Sequence, residues 1–253
     1  MKETQHSLNK RIENFIAEKD FKKEPFSKED IDFIQQYEGS GGQAGNGATG
    51  EGILHEYFTP DYIVDLMWWL AEKHDFNGGY VLEPSIGTGR MIRPAKDHSK
   101  CVGFEINPLS ARIARITYPE ATIYPGYFET AFLEAPRFTS KIRHGVTWLR
   151  EYPFSLVIGN PPYGKYQNTY SSYFINPHFP QIEIFFMYQG LKLLKKDGLL
   201  IYLTSSIFLK NGDTYNQSKK ELEKICDLVD AYRLPPVFKN SEVPVDIIVL
   251  KKK

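Results

Sequence analysis

Phe154-Ser155-Leu156-Val157-Ile158-Gly159-Asn160-Pro161-Pro162-Tyr163 is the run from which the rest of the chain takes its meaning. Leu156-Val157-Ile158 reads as a buried strand of a parallel sheet, because such strands are apolar on both faces. The strand stops abruptly at a glycine, an amide, two prolines and an aromatic ring. Proline lacks an amide hydrogen and fixes φ, so a central strand cannot run through Pro161-Pro162. Asn160 and Tyr163 are therefore expected on a stiff turn beyond the carboxyl end of a strand, where open α/β sheets bind ligands. An amide beside a ring suits a planar, hydrogen-bonding, nearly uncharged substrate.

Working outward, strand-like and helix-like segments alternate from residue 80 onward. Strands are expected at Tyr80–Glu83, Cys101–Glu105, Ala121–Tyr124, Phe154–Ile158, Leu199–Thr204, Leu228–Arg233 and Val245–Leu250. Helices are expected at Pro108 to about Tyr118, 183–196 and 216–226, with a helix or broken helix at 88–97 and 126–150 irregular. The 183–196 helix turns Ile184, Met187, Leu191 and Leu194 inward and ends at Lys195-Lys196-Asp197-Gly198, with glycine as its C-cap. The result is one α/β domain of seven strands.

Before it, Thr59 is placed to cap a helix beginning at Pro60, with Ile63, Leu66, Met67 and Leu70 inward and Trp68 and Trp69 as packing residues. Residues 1–38 read as two helices. Leu8, Ile12, Phe15 and Ile16 share one face, and Ser27 with Asp30 makes a capping box before Ile31, Phe33, Ile34 and Tyr37. Between them and the domain lie seven glycines in the fourteen residues Gly39–Gly52. No Gly-Lys-Ser/Thr follows, so this is a linker or a substrate-contacting loop, not a phosphate-binding loop. The division expected is 1–53, helices and glycine-rich loop, then 54–253, the catalytic domain. Lys251-Lys252-Lys253 abuts the last strand, which suggests that a natural protein continues beyond it or that this is an excised domain.

The 253 residues are 42% apolar and 25% charged, with zero formal net charge, so no global field draws the chain to nucleic acid or an acidic membrane. No run of eighteen apolar residues occurs and the first thirty residues are highly charged, so neither a membrane span nor a secretory signal is expected. Cys101 and Cys226 read as reduced packing residues, which fits a cytoplasmic setting. The histidines, including His55, His98, His144 and His178, are scattered without metal-ligand spacing, and no metal is expected.

Val81-Leu82-Glu83-Pro84-Ser85-Ile86-Gly87-Thr88-Gly89 closes the first strand with a tight glycine turn. A dinucleotide fingerprint would have a third glycine; here Arg90-Met91 follow and Glu83 precedes. An acid at that point suits an amino-acid ammonium or a sulfonium better than a pyrophosphate. Glu105, about twenty residues on, stands where a carboxylate accepts hydrogen bonds from a ribose diol.

Together these features resemble the S-adenosylmethionine-dependent N6-adenine DNA methyltransferases of the gamma motif order, from about Leu54 to Leu250. The resemblance implies a Rossmann-like class I methyltransferase fold: a seven-stranded, mostly parallel sheet whose last strand, Asp246-Ile247-Ile248-Val249-Leu250, is antiparallel, here with an N-terminal helical extension. Tyr57-Phe58-Thr59-Pro60 is similar to the block over the methionine portion of the cofactor, with Tyr57 and Thr59 as contacts. Glu83, Ser85, Gly87 and Gly89 are similar to the cofactor loop, and Glu105, with Ile106 beside it, to the ribose site. Asn160, Pro161 and Tyr163 are similar to the catalytic motif, and Phe238 in Pro236-Val237-Phe238-Lys239 to the ring that stacks on a flipped base. Where the family commonly has an acid before Phe to hold the adenine of the cofactor, this chain has Tyr127-Phe128; the expected substitutes are Glu129 or a backbone carbonyl, or Tyr127 packing on the adenine.

The implied reaction is methyl transfer from S-adenosylmethionine to the N6 amine of adenine in DNA, in restriction–modification or a mobile element. The amine would donate to the Asn160 side-chain oxygen and the Pro161 carbonyl, between the rings of Tyr163 and Phe238. The alternatives are RNA exocyclic amines or protein glutamine as acceptors, or a non-catalytic assembly or DNA-binding module with this fold. No target-recognition domain is visible, so a separate domain or subunit is an expected partner. The loop Gly164–Gln181 reads equally as a closing lid and as a surface segment.

Overall fold

The computed structural model describes residues 3–39, 58–132, 153–175, 177–210, 213–238 and 244–253. Its sheet contains β1 (Tyr80–Glu83), β2 (Cys101–Glu105), β3 (Thr122–Pro125), β4 (Phe154–Gly159), β5 (Leu194–Ser205), β6 (Cys226–Leu234) and β7 (Val245–Lys252). The strand order is β3-β2-β1-β4-β5-β7-β6. β1 to β5 are parallel, whereas β7 pairs antiparallel with both β5 and β6. This is the class I methyltransferase arrangement expected from the sequence. The chain moves outward from β1 through β2 to β3, then returns to lay β4 against the other side of β1. That reversal opens a crevice at the carboxyl ends of β1 and β4.

Alternation along the strands gives the sheet two apolar faces. Leu82, Val157, Leu200 and Ile248 share one core with Ile184, Met187 and Leu191 of α5 (Ile182–Leu193) and Tyr215 and Leu222 of α6 (Asp213–Glu223). Val81, Leu156, Ile158, Ile201 and Ile247 face the other way, onto Ile63, Val64, Met67 and Leu70 of α3 (Asp61–Lys73). Each such aliphatic side chain, fully buried, stabilises by about 1.5–3 kcal/mol. The central strands β1, β4 and β5 are therefore fixed on both faces. Cys101 and Cys226 are free thiols within these cores.

The N-terminal residues form α1 (Gln5–Lys22) and α2 (Lys28–Ile34). Ser27 and Asp30 make the expected reciprocal capping box. Ile12, Ile16, Ile34 and Tyr37 pack on Ile113 and Ile116 of α4 (Pro108–Thr117), and Arg112 grips Asp20 through Nε at 2.9 Å. Most of the glycine-rich stretch, residues 40–52, lies outside the described residues, as do Tyr57, His55 and His144.

Four expectations are corrected. Pro60 is the N-cap of α3 and not its first helical residue: its ψ of 145° is extended, and its carbonyl accepts from Ile63 and Val64. Thr59 accordingly does not cap the helix. Trp69 is 54% exposed; only Trp68 is buried, its indole donating to the Met91 carbonyl at 2.7 Å. The span 88–97 holds a single 3-10 turn, Arg90–Ile92, instead of a helix. Finally, α5 ends at Leu193, because Leu194 enters the sheet opposite Phe154. The Lys195–Gly198 segment is extruded between that pair and Leu156–Leu199. Asp197, not Gly198, takes the positive φ, 63°.

Candidate active site

β1 ends in Glu83, and the following residues form a turn held from both sides. Ile86 N–H donates to the Phe104 carbonyl at 2.9 Å, and Gly87 N–H to Glu105 Oε2 at 2.8 Å. Gly87 and Gly89 have φ of 55° and 88°, left-handed values that favour glycine, and a Cβ on Gly89 would lie 2.7 Å from the Tyr118 ring. Glu105 Oε1 accepts from Asn107 N–H at 2.7 Å. The Glu105 carboxylate thus ties the tip of β2 to the loop after β1.

The turn after β4 meets that loop directly. Ser85 Oγ donates to the Asn160 backbone carbonyl at 3.2 Å. Phe58, Thr59, Glu83, Ser85, Gly87, Thr88, Arg90 and Asn160 line one cleft of ≈ 310 Å³, counting its open mouth. Sequence reasoning therefore brought together Thr59, Glu83, Ser85, Gly87 and Asn160. It did not single out Phe58, Thr88 or Arg90, although Phe58 and Arg90 stand beside residues that it named.

Glu83 is 3% exposed, its Oε2 has no hydrogen-bond partner among the described residues, and its pKa is raised well above the ordinary carboxylate range. Burial is the main cause and the nearby Glu105 charge the second. An orphaned carboxylate in a cleft is costly unless something cationic or protic enters. The donor set fits the amino-acid head of S-adenosylmethionine, with Glu83 for the ammonium. Glu105, the last residue of β2, bonds that loop through Gly87, and Ile106 follows it in the chain.

Tyr163 follows the two prolines with its hydroxyl directed back into the protein. That hydroxyl donates to Asn160 Oδ1 and lies 3.0 Å from the Leu203 carbonyl. Burial first, then the Glu183 charge, pushes its pKa upward, so it stays a neutral donor. The next residue, Gly164, donates its N–H to Glu183 Oε2 at 3.0 Å, while Glu183 Oε1 accepts from Tyr215 at 2.9 Å. Glu183 is 1% exposed in the first turn of α5, a support that no sequence motif singles out.

The loop 164–181 is packed at its base. Tyr166 N–H donates to the Pro180 carbonyl at 2.9 Å, and its ring stacks on Phe185 with centroids 4.5 Å apart. Asn168 Nδ2 donates to Glu129 Oε1, so Glu129, 1% exposed, is engaged with this loop. Phe128, also 1% exposed, packs with Phe104, Phe132 and Phe186 in the core. Tyr127 meets Tyr170 edge-on at 5.1 Å. Phe238 packs against the α3-side core. Gly89, Glu105, Ile106, Pro161, Tyr127, Phe128, Tyr163 and Phe238 are not among the residues lining the cleft.

The family model described as Eco57I restriction-modification methylase matches residues 100–238, more than half of the chain. "Defense against restriction protein B" of Escherichia phage P1 is 24% identical over 83% of this chain. "Type II methyltransferase M.CvrRI" of Paramecium bursaria Chlorella virus XZ-6E is 33% identical over 42%. The chain spans only 9% and 24% of those two proteins' lengths. A Listeria monocytogenes structure described as a class I S-adenosylmethionine-dependent methyltransferase superposes with a TM-score of 0.64 at 17% identity, over 97% of this chain and 80% of that one. The superposition establishes the fold.

Proposed function

The chain belongs to the Eco57I restriction-modification methylase family, and from that premise we propose that it transfers the methyl group of S-adenosylmethionine to the N6 amine of adenine in DNA. The observation that carries this reading is the Ser85–Asn160 hydrogen bond, which sets the expected cofactor loop and catalytic turn around one cleft. When bound, S-adenosylmethionine supplies an electrophilic methyl group on a sulfonium. Glu83 and Thr59 hold its amino-acid head, Glu105 and Ile106 its ribose, and the Gly87–Gly89 turn permits close approach of the backbone. Tyr57, Tyr127 and Phe128 are the further contacts that the family pattern implies.

An adenine amine is a weak nucleophile because its lone pair is delocalised into the ring. Two acceptors, Asn160 Oδ1 and the Pro161 carbonyl, draw its hydrogens toward tetrahedral geometry and stabilise the positive charge that develops. The product nitrogen is acidic and needs no strong base. In duplex DNA the base must leave the stack, at a cost of a few kcal/mol. Stacking on Tyr163 and Phe238 would offset this at about 1–3 kcal/mol per contact. Reading of a specific DNA sequence falls to a recognition domain or subunit outside this stretch.

The test is incubation with methyl-labelled S-adenosylmethionine and unmethylated DNA, RNA and protein in parallel, followed by identification of the modified atom. Label on adenine N6 in DNA is expected. Label confined to RNA or to glutamine would replace the acceptor, and no label on any of them would favour a binding or assembly role.

A further inference from the structure

A carboxyl group and a guanidinium line the cleft without meeting. Glu83 Oε2 has no hydrogen-bond partner among the described residues, and Arg90, at the far end of the same loop, meets a backbone carbonyl and an aromatic ring. The guanidinium is held in place. Nη2 donates to the Tyr37 backbone carbonyl at 3.2 Å, and the cation lies over the Phe58 ring, 5.1 Å from its centroid. Tyr37 is itself fixed, 4% exposed, with its ring 6.0 Å from that of Phe58.

An arginine that served only to satisfy one carbonyl would not need an aromatic platform at the rim of a cleft. Its planar fork has five N–H donors and matches a carboxylate bidentately. A buried carboxyl group that an ammonium would ionise and a separate, half-buried guanidinium in one small cleft are complementary to a zwitterion, which carries an ammonium and a carboxylate on one carbon. We infer that Arg90 binds the α-carboxylate of the cofactor's amino-acid head and thereby selects ligands that carry this group. The inference rests on reading the cleft as the S-adenosylmethionine site. It also gives the N-terminal helices a role, since Tyr37, just after α2, supplies the carbonyl that orients the guanidinium.

The test is calorimetric binding to the full chain of three ligands: S-adenosylhomocysteine, its decarboxylated analogue, and methylthioadenosine, which lacks the whole amino-acid head. Wild-type protein should bind the decarboxylated analogue about ten- to a hundredfold more weakly than S-adenosylhomocysteine, the range of a charge-assisted hydrogen bond. Arg90→Gln should lose that same factor for S-adenosylhomocysteine and leave the other two ligands unchanged. Arg90→Lys should recover part of the loss, because a point charge remains without the fork.

Equal weakening of all three ligands in Arg90→Gln would overturn the inference and leave Arg90 as a tie to the N-terminal helices. So would an undiminished affinity for S-adenosylhomocysteine. Should Arg90→Gln fail to fold, equal wild-type affinity for S-adenosylhomocysteine and its decarboxylated analogue overturns it independently. Wild-type protein that binds none of the three would remove the cofactor reading itself, and the inference with it.

Discussion

The Tyr163 hydroxyl donates its hydrogen to Asn160 Oδ1, joining the two ends of the Asn-Pro-Pro-Tyr turn to each other. An amide oxygen has two lone pairs, so this bond leaves one acceptor site for a substrate amine. Tyr163 therefore orients the acceptor as well as offering a ring. Tyr163→Phe keeps the ring and loses the orientation. Turnover on an unpaired adenine should fall about five- to tenfold, the worth of one neutral hydrogen bond, with unchanged S-adenosylhomocysteine affinity. Tyr163→Ala should in addition penalise duplex DNA more than unpaired adenine. Equal penalties in single-turnover assays would exclude stacking as the ring's task.

Asn160 contributes its carbonyl to Ser85 and its side chain to the acceptor site. Asn160→Ala removes only the second, because Pro161-Pro162 continue to set the turn. Methyl transfer should fall by at least about a hundredfold, as when one preorganised transition-state partner is deleted. Calorimetry should still register S-adenosylhomocysteine at near wild-type affinity. Parallel loss of cofactor binding would refute this division of roles.

The sheet was legible because its central strands are buried on both faces, which forces apolar runs such as Leu156-Val157-Ile158 and Ile247-Ile248-Val249-Leu250. Asn160, Glu83 and Ser85 were legible because they terminate those runs at the ligand-binding edge. Features set by long-range pairing were not. Leu194 leaves a good local helix signal to pair with Phe154, and no neighbouring residue announces that. Glu183 and Arg90 acquire their roles from Gly164 and Tyr37, 19 and 53 residues away. Trp69 reads like Trp68 in sequence, yet a one-residue step on a helix turns it to solvent.

Glu105 links structure and ligand in one side chain, through Oε2 to Gly87 N–H and Oε1 to Asn107 N–H. Glu105→Ala should orphan both amides, lower thermal stability by about 1–3 kcal/mol and weaken S-adenosylhomocysteine at least about tenfold. Glu105→Gln keeps one acceptor and should recover part of the stability. Chemical denaturation alongside calorimetry separates the two effects. A stable Glu105→Ala protein with full affinity would remove the ribose assignment.

Glu183 supports the catalytic turn from below by accepting the Gly164 N–H and the Tyr215 hydroxyl. Its pKa is raised, chiefly by burial. Glu183→Ala leaves the buried Tyr215 hydroxyl and the part-buried Gly164 N–H unpaired, and a loss of about 1–3 kcal/mol is expected in denaturant unfolding. Tyr215→Phe removes only the lower contact and should cost about 0.5–1.5 kcal/mol while leaving the turn in place. Turnover should fall in the first variant and persist in the second. The reverse order would show that α6, and not α5, positions the turn.

Glu83 sets cofactor affinity against stability. Its folded-state pKa is raised well above the unfolded value, so the empty protein holds a proton there that the unfolded chain releases. As pH rises through the unfolded pKa toward the folded one, this group therefore destabilises the empty protein increasingly. Glu83→Gln cannot ionise and should melt higher than wild type, with a gap that widens as pH rises and closes in acid. An ammonium in the cleft favours the carboxylate, so ligand binding should release a proton below the folded pKa, detectable as an enthalpy that varies with the buffer's ionisation heat. Glu83→Gln should abolish that release and weaken S-adenosylhomocysteine at least about tenfold, the lower range for a lost charge-assisted contact. A Glu83→Gln protein that melts lower than wild type above neutral pH, or binds with the same proton release, would show that the carboxylate is not poised for a cation.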